Sequence, residues 1–195
     1  GAARAQAGLG VGDGHAPLPG EGLGAGHARG QGRGLMGRLQ GVLRGDQPDH
    51  QVQAEASPGG LGHMGVKFAK ALGAEVTIFT RSEAKVAEAK KQGADHVIIS
   101  TDKEQMKAAA DSFDFLLDTI PVAHDLNPYL KCLKYDGTHI LVGLLTPIEP
   151  ALQAGLLVTK RRVVAGSLIG GMPETQEGLD FCAEHDITCD IEMLD

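Results

Sequence analysis

The chain has 195 residues and a formal net charge of −7. That length suffices for one domain with a sizeable core, and the charge has the wrong sign for a surface that tracks nucleic-acid phosphates. No apolar run is long enough to span a bilayer and no segment has the pattern of a secretory leader. The three cysteines, Cys132, Cys182 and Cys189, show no Cys-x-x-Cys spacing, which fits reduced thiols of a cytoplasmic protein better than a disulfide framework.

Residues 1–50 differ sharply from the rest. They hold more than half of the 28 glycines and contain no Lys, Ile, Phe, Tyr, Ser, Thr, Asn or Cys. Such a segment has too little apolar surface to offset the entropy of ordering it, so disorder is the expectation. Its bias toward Gly, Ala, Arg, Pro and Gln is what GC-rich coding DNA yields when translated out of frame; a natural low-complexity linker is the alternative. His15, His27 and His50 lie here without ligand spacing and are assigned no metal. The folded unit is expected over residues 51–195.

Residues 51–56 stand where a first strand belongs, yet Val52 is their only strong strand former. A glycine-rich turn follows, Gly59-Gly60-Leu61-Gly62-His63-Met64-Gly65. Glycines let a backbone approach a pyrophosphate, and a helix N-terminus supplies free N–H groups and partial positive charge. Two registers of G-x-G-x-x-G are available. One uses Gly60, Gly62 and Gly65. The other runs from Ser57 through Pro58, Gly59, Gly60 and Leu61 to Gly62, with Ser57 in place of the first glycine. Val66, Phe68, Ala69 and Leu72 form an apolar helical stripe that should already be running at Leu61, which favours the second register and leaves Gly65 as the small residue for helix-on-sheet packing. The helix is expected over 61–72, with Gly73 as its C-cap.

The next strand, 75–80, ends in Thr80-Arg81-Ser82, with Lys85 one turn on. The residue ending this strand reads the adenosine ribose. An acid there would hold the free 2′-hydroxyl of NAD; two hydroxyls and an arginine suit the 2′-phosphate of NADP. Ser82 can cap a helix running to Gln92, which Gly93 ends. A strand at 96–99, a helix at 103–110, a buried strand at 113–118, a helix at 123–133, a strand at 138–143, a strand at 163–167, a helix from Pro173 to Glu184 and a final strand at 187–193 complete the pattern. Strand–helix alternation at this spacing predicts an α/β fold, a Rossmann-type, doubly wound parallel sheet with helices on both faces. Ligands bind beyond the carboxyl ends of such strands, where the sequence places Thr80-Arg81-Ser82, Thr119, Gly143 and Ser167.

The segments Phe113-Asp114-Phe115-Leu116-Leu117-Asp118-Thr119-Ile120-Pro121-Val122-Ala123-His124, Gly166-Ser167-Leu168-Ile169-Gly170-Gly171-Met172-Pro173-Glu174-Thr175-Gln176-Glu177 and Phe181-Cys182-Ala183-Glu184, with the glycine turn, resemble the cinnamyl alcohol dehydrogenase branch of the zinc-dependent, medium-chain alcohol dehydrogenases. The resemblance runs from about Gly59 to Met193 and covers only the cofactor domain. It implies an NADP-dependent oxidoreductase that interconverts primary alcohols and aldehydes, with hydride passing to or from the nicotinamide. It further implies that Ser57, Gly59, Gly60, Leu61 and Gly62 hold the pyrophosphate. Thr80, Arg81, Ser82 and Lys85 would hold the adenosine phosphate. Thr119, Gly143, Ser167, Leu168 and Ile169 would line the ribose and nicotinamide, largely through backbone atoms. The implied partners are a small alcohol or aldehyde, with neither nucleic acid nor membrane, and a homodimer is left open.

The departures from the family matter equally. Its catalytic zinc and its second, four-cysteine zinc belong to a domain that this sequence lacks: there is no Gly-His-Glu, and no cysteine precedes Cys132. The chain therefore reads as a fragment, incomplete at both ends and inactive alone, with no catalytic residue and no metal ligand of its own. A non-catalytic dinucleotide-binding module is the alternative function. A glycine-loop methyltransferase is disfavoured, because that class wants an acid where Thr80-Arg81-Ser82 stands. Gln53 and Glu55, in a central strand, Pro58, beside the turn, and Ser57, in place of a glycine, are expected to weaken cofactor affinity and to loosen the sheet edge or split the sheet between its second and fourth strands.

Overall fold

The computed structural model describes residues 51–55 (backbone only), 60–143 and 146–189. The expectations for residues 1–50, for Ser57 and Gly59, and for most of the final strand lie outside these residues.

Among the described residues six strands form one sheet, all paired in parallel, in the order β3-β2-β1-β4-β5-β6. They are β1 (Gln51–Glu55), β2 (Glu75–Thr80), β3 (His96–Ile99), β4 (Phe113–Asp118), β5 (Leu133–Leu141) and β6 (Val163–Gly166). The helices are α1 (Leu61–Ala71), α2 (Val86–Lys91), α3 (Lys103–Ala108), α4 (Asn127–Cys132), α5 (Ala154–Val158) and α6 (Met172–Glu184). This is the doubly wound order, in which the chain reverses direction across the sheet between β1 and β4.

The strands carry two cores. Val66 and Ala69 of α1 and Ala89 of α2 pack with Val76, Ile78, Phe115 and Leu117. Leu130 and Cys132 of α4 pack with Phe79, Phe113 and Leu116. Phe115 and Leu117 of β4 thus serve one cluster and Leu116 the other, and all three are at most 1% exposed. Burial on both faces is why β4 reads as a near-continuous apolar run rather than an alternating one. Each such side chain contributes about 1.5–3 kcal/mol on burial.

Helix α1 begins at Leu61, as its apolar stripe predicts. A Cβ on Gly65 would come within 2.5 Å of Leu117 Cδ2, so glycine is what lets α1 lie close on β4. Gly73 and Gly93 end their helices at φ +84° and +103°, where a side chain would be strained. Ser82 caps as expected, accepting the Ala84 amide at 3.3 Å, but the helix it opens starts as a 3-10 turn, Glu83–Lys85.

Several expectations need correction. The helix read as 123–133 is only Asn127–Cys132. Pro128 explains the late start: its ring is tolerated in a first turn but would collide with the carbonyl of residue 124 in a longer helix. β5 starts at Leu133 rather than residue 138, because the buried Arg162 donates from Nε to the Leu133 carbonyl at 2.9 Å and holds it beside Phe113. Helix α5 is not among the elements the sequence predicts. Residues 187–189 form no strand.

The expected split of the sheet is also absent. β1 pairs with β2 over Gln51–Glu55 and with β4 over Val52–Ala54. Backbone pairing to two well-formed neighbours has overridden poor strand propensity. Gln53 stands in register between Thr77 and Leu116, which are 2% and 0% exposed. Gln53→Val should therefore stabilise the domain by about 1–3 kcal/mol, raising its Tm by several degrees. An unchanged Tm would refute the cost assigned to this position.

Candidate dinucleotide site at the carboxyl edge of the sheet

All six strands run the same way, so their carboxyl ends share one edge, and the crevice of a doubly wound sheet opens between the loops after β1 and β4. Gly60 precedes α1 with φ +93° and ψ −146°, and a Cβ placed on it would meet nothing within 4 Å. Conformation rather than crowding demands glycine there. Leu61 is 60% exposed at the start of the helix, whereas Gly62 and His63 are buried.

The turn after β2 is braced from β3. The Ser100 amide donates to the Thr80 carbonyl at 2.8 Å, and Thr101 Oγ1 donates to the Arg81 carbonyl at 3.5 Å. Thr80 is 7% exposed, and its Oγ1 accepts the Ser82 amide at 3.4 Å. Arg81, Ser82 and Lys85 are exposed. Neither Arg81 nor Lys85 has an ion-pair partner among the described residues, whereas Lys70 pairs with Asp95, Lys134 with Asp114 and Arg161 with Asp136. The structure therefore brings Thr80, Arg81, Ser82 and Lys85 into one turn with two cations open to an anion.

The rim between β4 and β5 is built on Asp118. Its carbonyl accepts the amides of Val142 at 2.9 Å and Gly143 at 3.3 Å. Thr119, 8% exposed, then passes so close to Gly143 that a Cβ there would lie 2.5 Å from both the carbonyl carbon and the oxygen of Thr119. Gly143 thus has a packing reason to be glycine. At the next strand, the Ser167 amide donates to the Leu141 carbonyl at 3.0 Å, tying the end of β6 to that of β5. Leu168 and Ile169 are 75% and 90% exposed.

The residue pattern alone does not reveal the groups beneath this rim. Asp118 is 2% exposed, with Oδ1 accepting the Ile120 amide and Oδ2 facing the Nε2 atoms of His124 and His139 at 3.1 and 3.3 Å. Burial by itself would raise the carboxyl pKa, but hydrogen bonds from His124 and His139 and the charge of His139 outweigh it, and the group is held far below its ordinary 3.8. His63 is 4% exposed, and neither of its ring nitrogens has a hydrogen-bond partner among the described residues. Its place in the glycine turn is visible in the sequence, but its burial is not.

A carboxylate whose folded pKa is depressed contributes stability that is present above its unfolded value and is lost as pH falls. The Tm of the chain should accordingly drop as pH falls below about 4, and Asp118→Asn should flatten that slope in a melting series. Equal slopes for the two proteins would contradict the assignment.

The family model for zinc-binding dehydrogenases matches residues 60–184. The chain belongs to the zinc-binding dehydrogenase family. Relatives include an aldehyde reductase of Escherichia coli K12, 52% identical over 136 residues, which cover 70% of this chain and 39% of that protein. A cinnamyl alcohol dehydrogenase of Capsicum annuum is 48% identical over 138 residues, 70% of this chain and 38% of the other. Among solved structures, a cinnamyl alcohol dehydrogenase of Sorghum bicolor superposes with a TM-score of 0.69 at 41% identity, over 78% of this chain and 42% of the sorghum enzyme. The Helicobacter pylori enzyme complexed with NADP(H) gives a TM-score of 0.64 at 38% identity, over 80% and 43%. The chain thus spans about two fifths of the length of these relatives. Among its described residues no three His, Cys, Asp or Glu side chains are grouped so as to hold a metal ion, so no donor set for zinc fits here. No helix among them is long and apolar enough to cross a membrane.

Proposed function

We propose that this chain is the NADP-binding part of an oxidoreductase that interconverts primary alcohols and aldehydes. The observation that carries the reading is the turn after β2, where Arg81 and Lys85 are both exposed and, among the described residues, free of ion pairs, beside the Thr80 and Ser82 hydroxyls. A 2′-phosphate is the anion that suits such a turn at this place in the fold. The relatives support the reaction class: one is named an aldehyde reductase, another a cinnamyl alcohol dehydrogenase, and a structural neighbour is a complex with NADP(H).

The nicotinamide, when bound, supplies or accepts the hydride. The residues of this chain bind and orient it. The α1 N-terminus with Gly60, Leu61 and Gly62, preceded by Ser57 and Gly59, takes the pyrophosphate. Thr80, Arg81, Ser82 and Lys85 take the adenosine phosphate. Thr119, Gly143 and the backbone of Ser167-Leu168-Ile169 form the rim for the second ribose and the nicotinamide. No step is assigned to zinc in this chain. Calorimetric titration tests the reading: NADPH should bind about ten- to a hundredfold more tightly than NADH, and equal affinity would overturn it.

A homodimer is the assembly this surface fits. Among the described residues β6 ends the sheet, and Val158, Val163, Leu168, Ile169 and Met172, in and around it in sequence, are 47–90% exposed. Apolar groups gathered at an open strand edge favour pairing with another copy. Sedimentation equilibrium should show a dimer, and a monomer at micromolar concentration would refute it.

A further inference from the structure

The buried carboxylate under the rim and its two imidazoles have no part in the cofactor contacts above. His124 lies in the connection between β4 and α4, residues 119–126, which has no regular secondary structure. Its Nε2 is 3.1 Å from Asp118 Oδ2, and its Nδ1 is 3.0 Å from the Val122 carbonyl oxygen. The ring also meets Tyr129 of α4 edge-on, at 5.9 Å between centroids. From β5, His139 shares Asp118 Oδ2 at 3.3 Å. The neighbouring Asp125 is engaged elsewhere, accepting from the Asn127 amide and side chain at 2.9 and 2.8 Å.

A backbone carbonyl and an ionised carboxylate only accept hydrogen bonds. A neutral imidazole carries one N–H, so a neutral His124 would turn a lone pair toward one of these two oxygens. The doubly protonated ring satisfies both at once. With Nε2 drawn to Asp118 and Nδ1 donating to Val122, the ring ties the middle of the connection to the end of β4. Asp118 in turn accepts the Ile120 amide at 3.0 Å and, through its carbonyl, the amides of Val142 and Gly143. Thr119 is enclosed by this set.

We propose that His124, as an imidazolium, is the positioning residue that clamps residues 119–126 onto the carboxyl edge of the sheet and so sets the Thr119 surface offered to the nicotinamide half of the dinucleotide. The proposal rests on the NADP reading. A histidine that gains a carboxylate partner in the folded state favours that state at low pH and loses the effect as pH rises through its folded pKa. The clamp is therefore closed at the acid end of the imidazole range and released at the alkaline end.

The test titrates the full chain with NADPH and with 2′-phospho-ADP-ribose between pH 5.5 and 8.5, for the wild type and for His124→Gln. The second ligand carries the same 2′-phosphate and pyrophosphate but no nicotinamide, so the ratio of the two affinities cancels titration of the phosphate itself. In the wild type this ratio should fall about three- to tenfold as pH rises. His124→Gln should lose most of that slope. A flat ratio in the wild type, or equal slopes in the two proteins, overturns the proposal. Amide hydrogen exchange at Ile120 reads the clamp without ligand. Its protection should decline with pH more steeply in the wild type than in His124→Gln, and equal declines overturn the clamp. If neither ligand binds, the NADP reading fails, and the exchange measurement still decides the clamp.

Discussion

Arg81→Asp should invert the cofactor preference of this chain. In the wild type NADPH is expected to bind about ten- to a hundredfold more tightly than NADH, the usual return on a charge-assisted contact to a phosphate. Arg81 is exposed, so screening places the effect in the lower half of that range and makes it weaken as salt is added. The substitution acts twice. It removes the cation that meets the 2′-phosphate and sets a carboxylate against it, and it supplies an acceptor for the free 2′-hydroxyl of NADH. Lys85→Ala should give a smaller loss of NADPH affinity and leave NADH unchanged, because it removes charge without adding an acceptor. Calorimetry with both cofactors at two salt concentrations measures all of this. If Arg81→Asp left the ratio of affinities untouched, the turn after β2 would not be the phosphate site.

Gly143→Ala should cost both stability and affinity. The added methyl would lie 2.5 Å from the backbone of Thr119 and 2.9 Å from the carbonyl carbon of Ile120. Backbone atoms held by the Asp118 hydrogen bonds cannot swing away as a side-chain tip can, so the ends of β4 and β5 must separate. Overpacking of this kind costs about 2–4 kcal/mol, or roughly 4–16 °C in Tm for a chain of this size. NADPH affinity should fall with it, since Thr119 is part of the displaced rim. Gly155→Ala is the control. Gly155 lies in α5, where an added Cβ would meet nothing within 4 Å and φ is not positive, so alanine there should be neutral or stabilising by up to about 1 kcal/mol. A Gly143→Ala protein that melted and bound like the wild type would show that the close approach is not maintained in solution.

The glycine turn, the hydroxyl–arginine turn and the strand–helix alternation are readable because each depends on local chemistry. A φ of +93° at Gly60, a serine capping the 83–85 turn and an apolar stripe from Val66 to Ala69 leave marks at fixed short spacings. The misread elements depend on partners distant in the chain. The early start of β5 is held by Arg162, which lies 29 residues from Leu133. β1 survives Gln53 and Glu55 because β2 and β4 supply ladder partners on either side. The late start of α4 is open to local reasoning, since Pro128 stands in plain view and its steric rule applies.

The sequence by itself determined that this is a doubly wound α/β chain with a glycine turn before its first helix and a basic turn after its second strand. Periodicity, capping and turn chemistry are short-range properties, and they are written in neighbouring residues. Only the tertiary structure decided that Asp118, His124 and His139 meet, that Gly143 must be glycine because Thr119 crosses it, and that Arg81 and Lys85 are free of ion pairs among the described residues. Those facts arise when parallel strands bring the ends of separate segments to one edge. Burial and long-range pairing set them, and neither leaves a spacing in the chain.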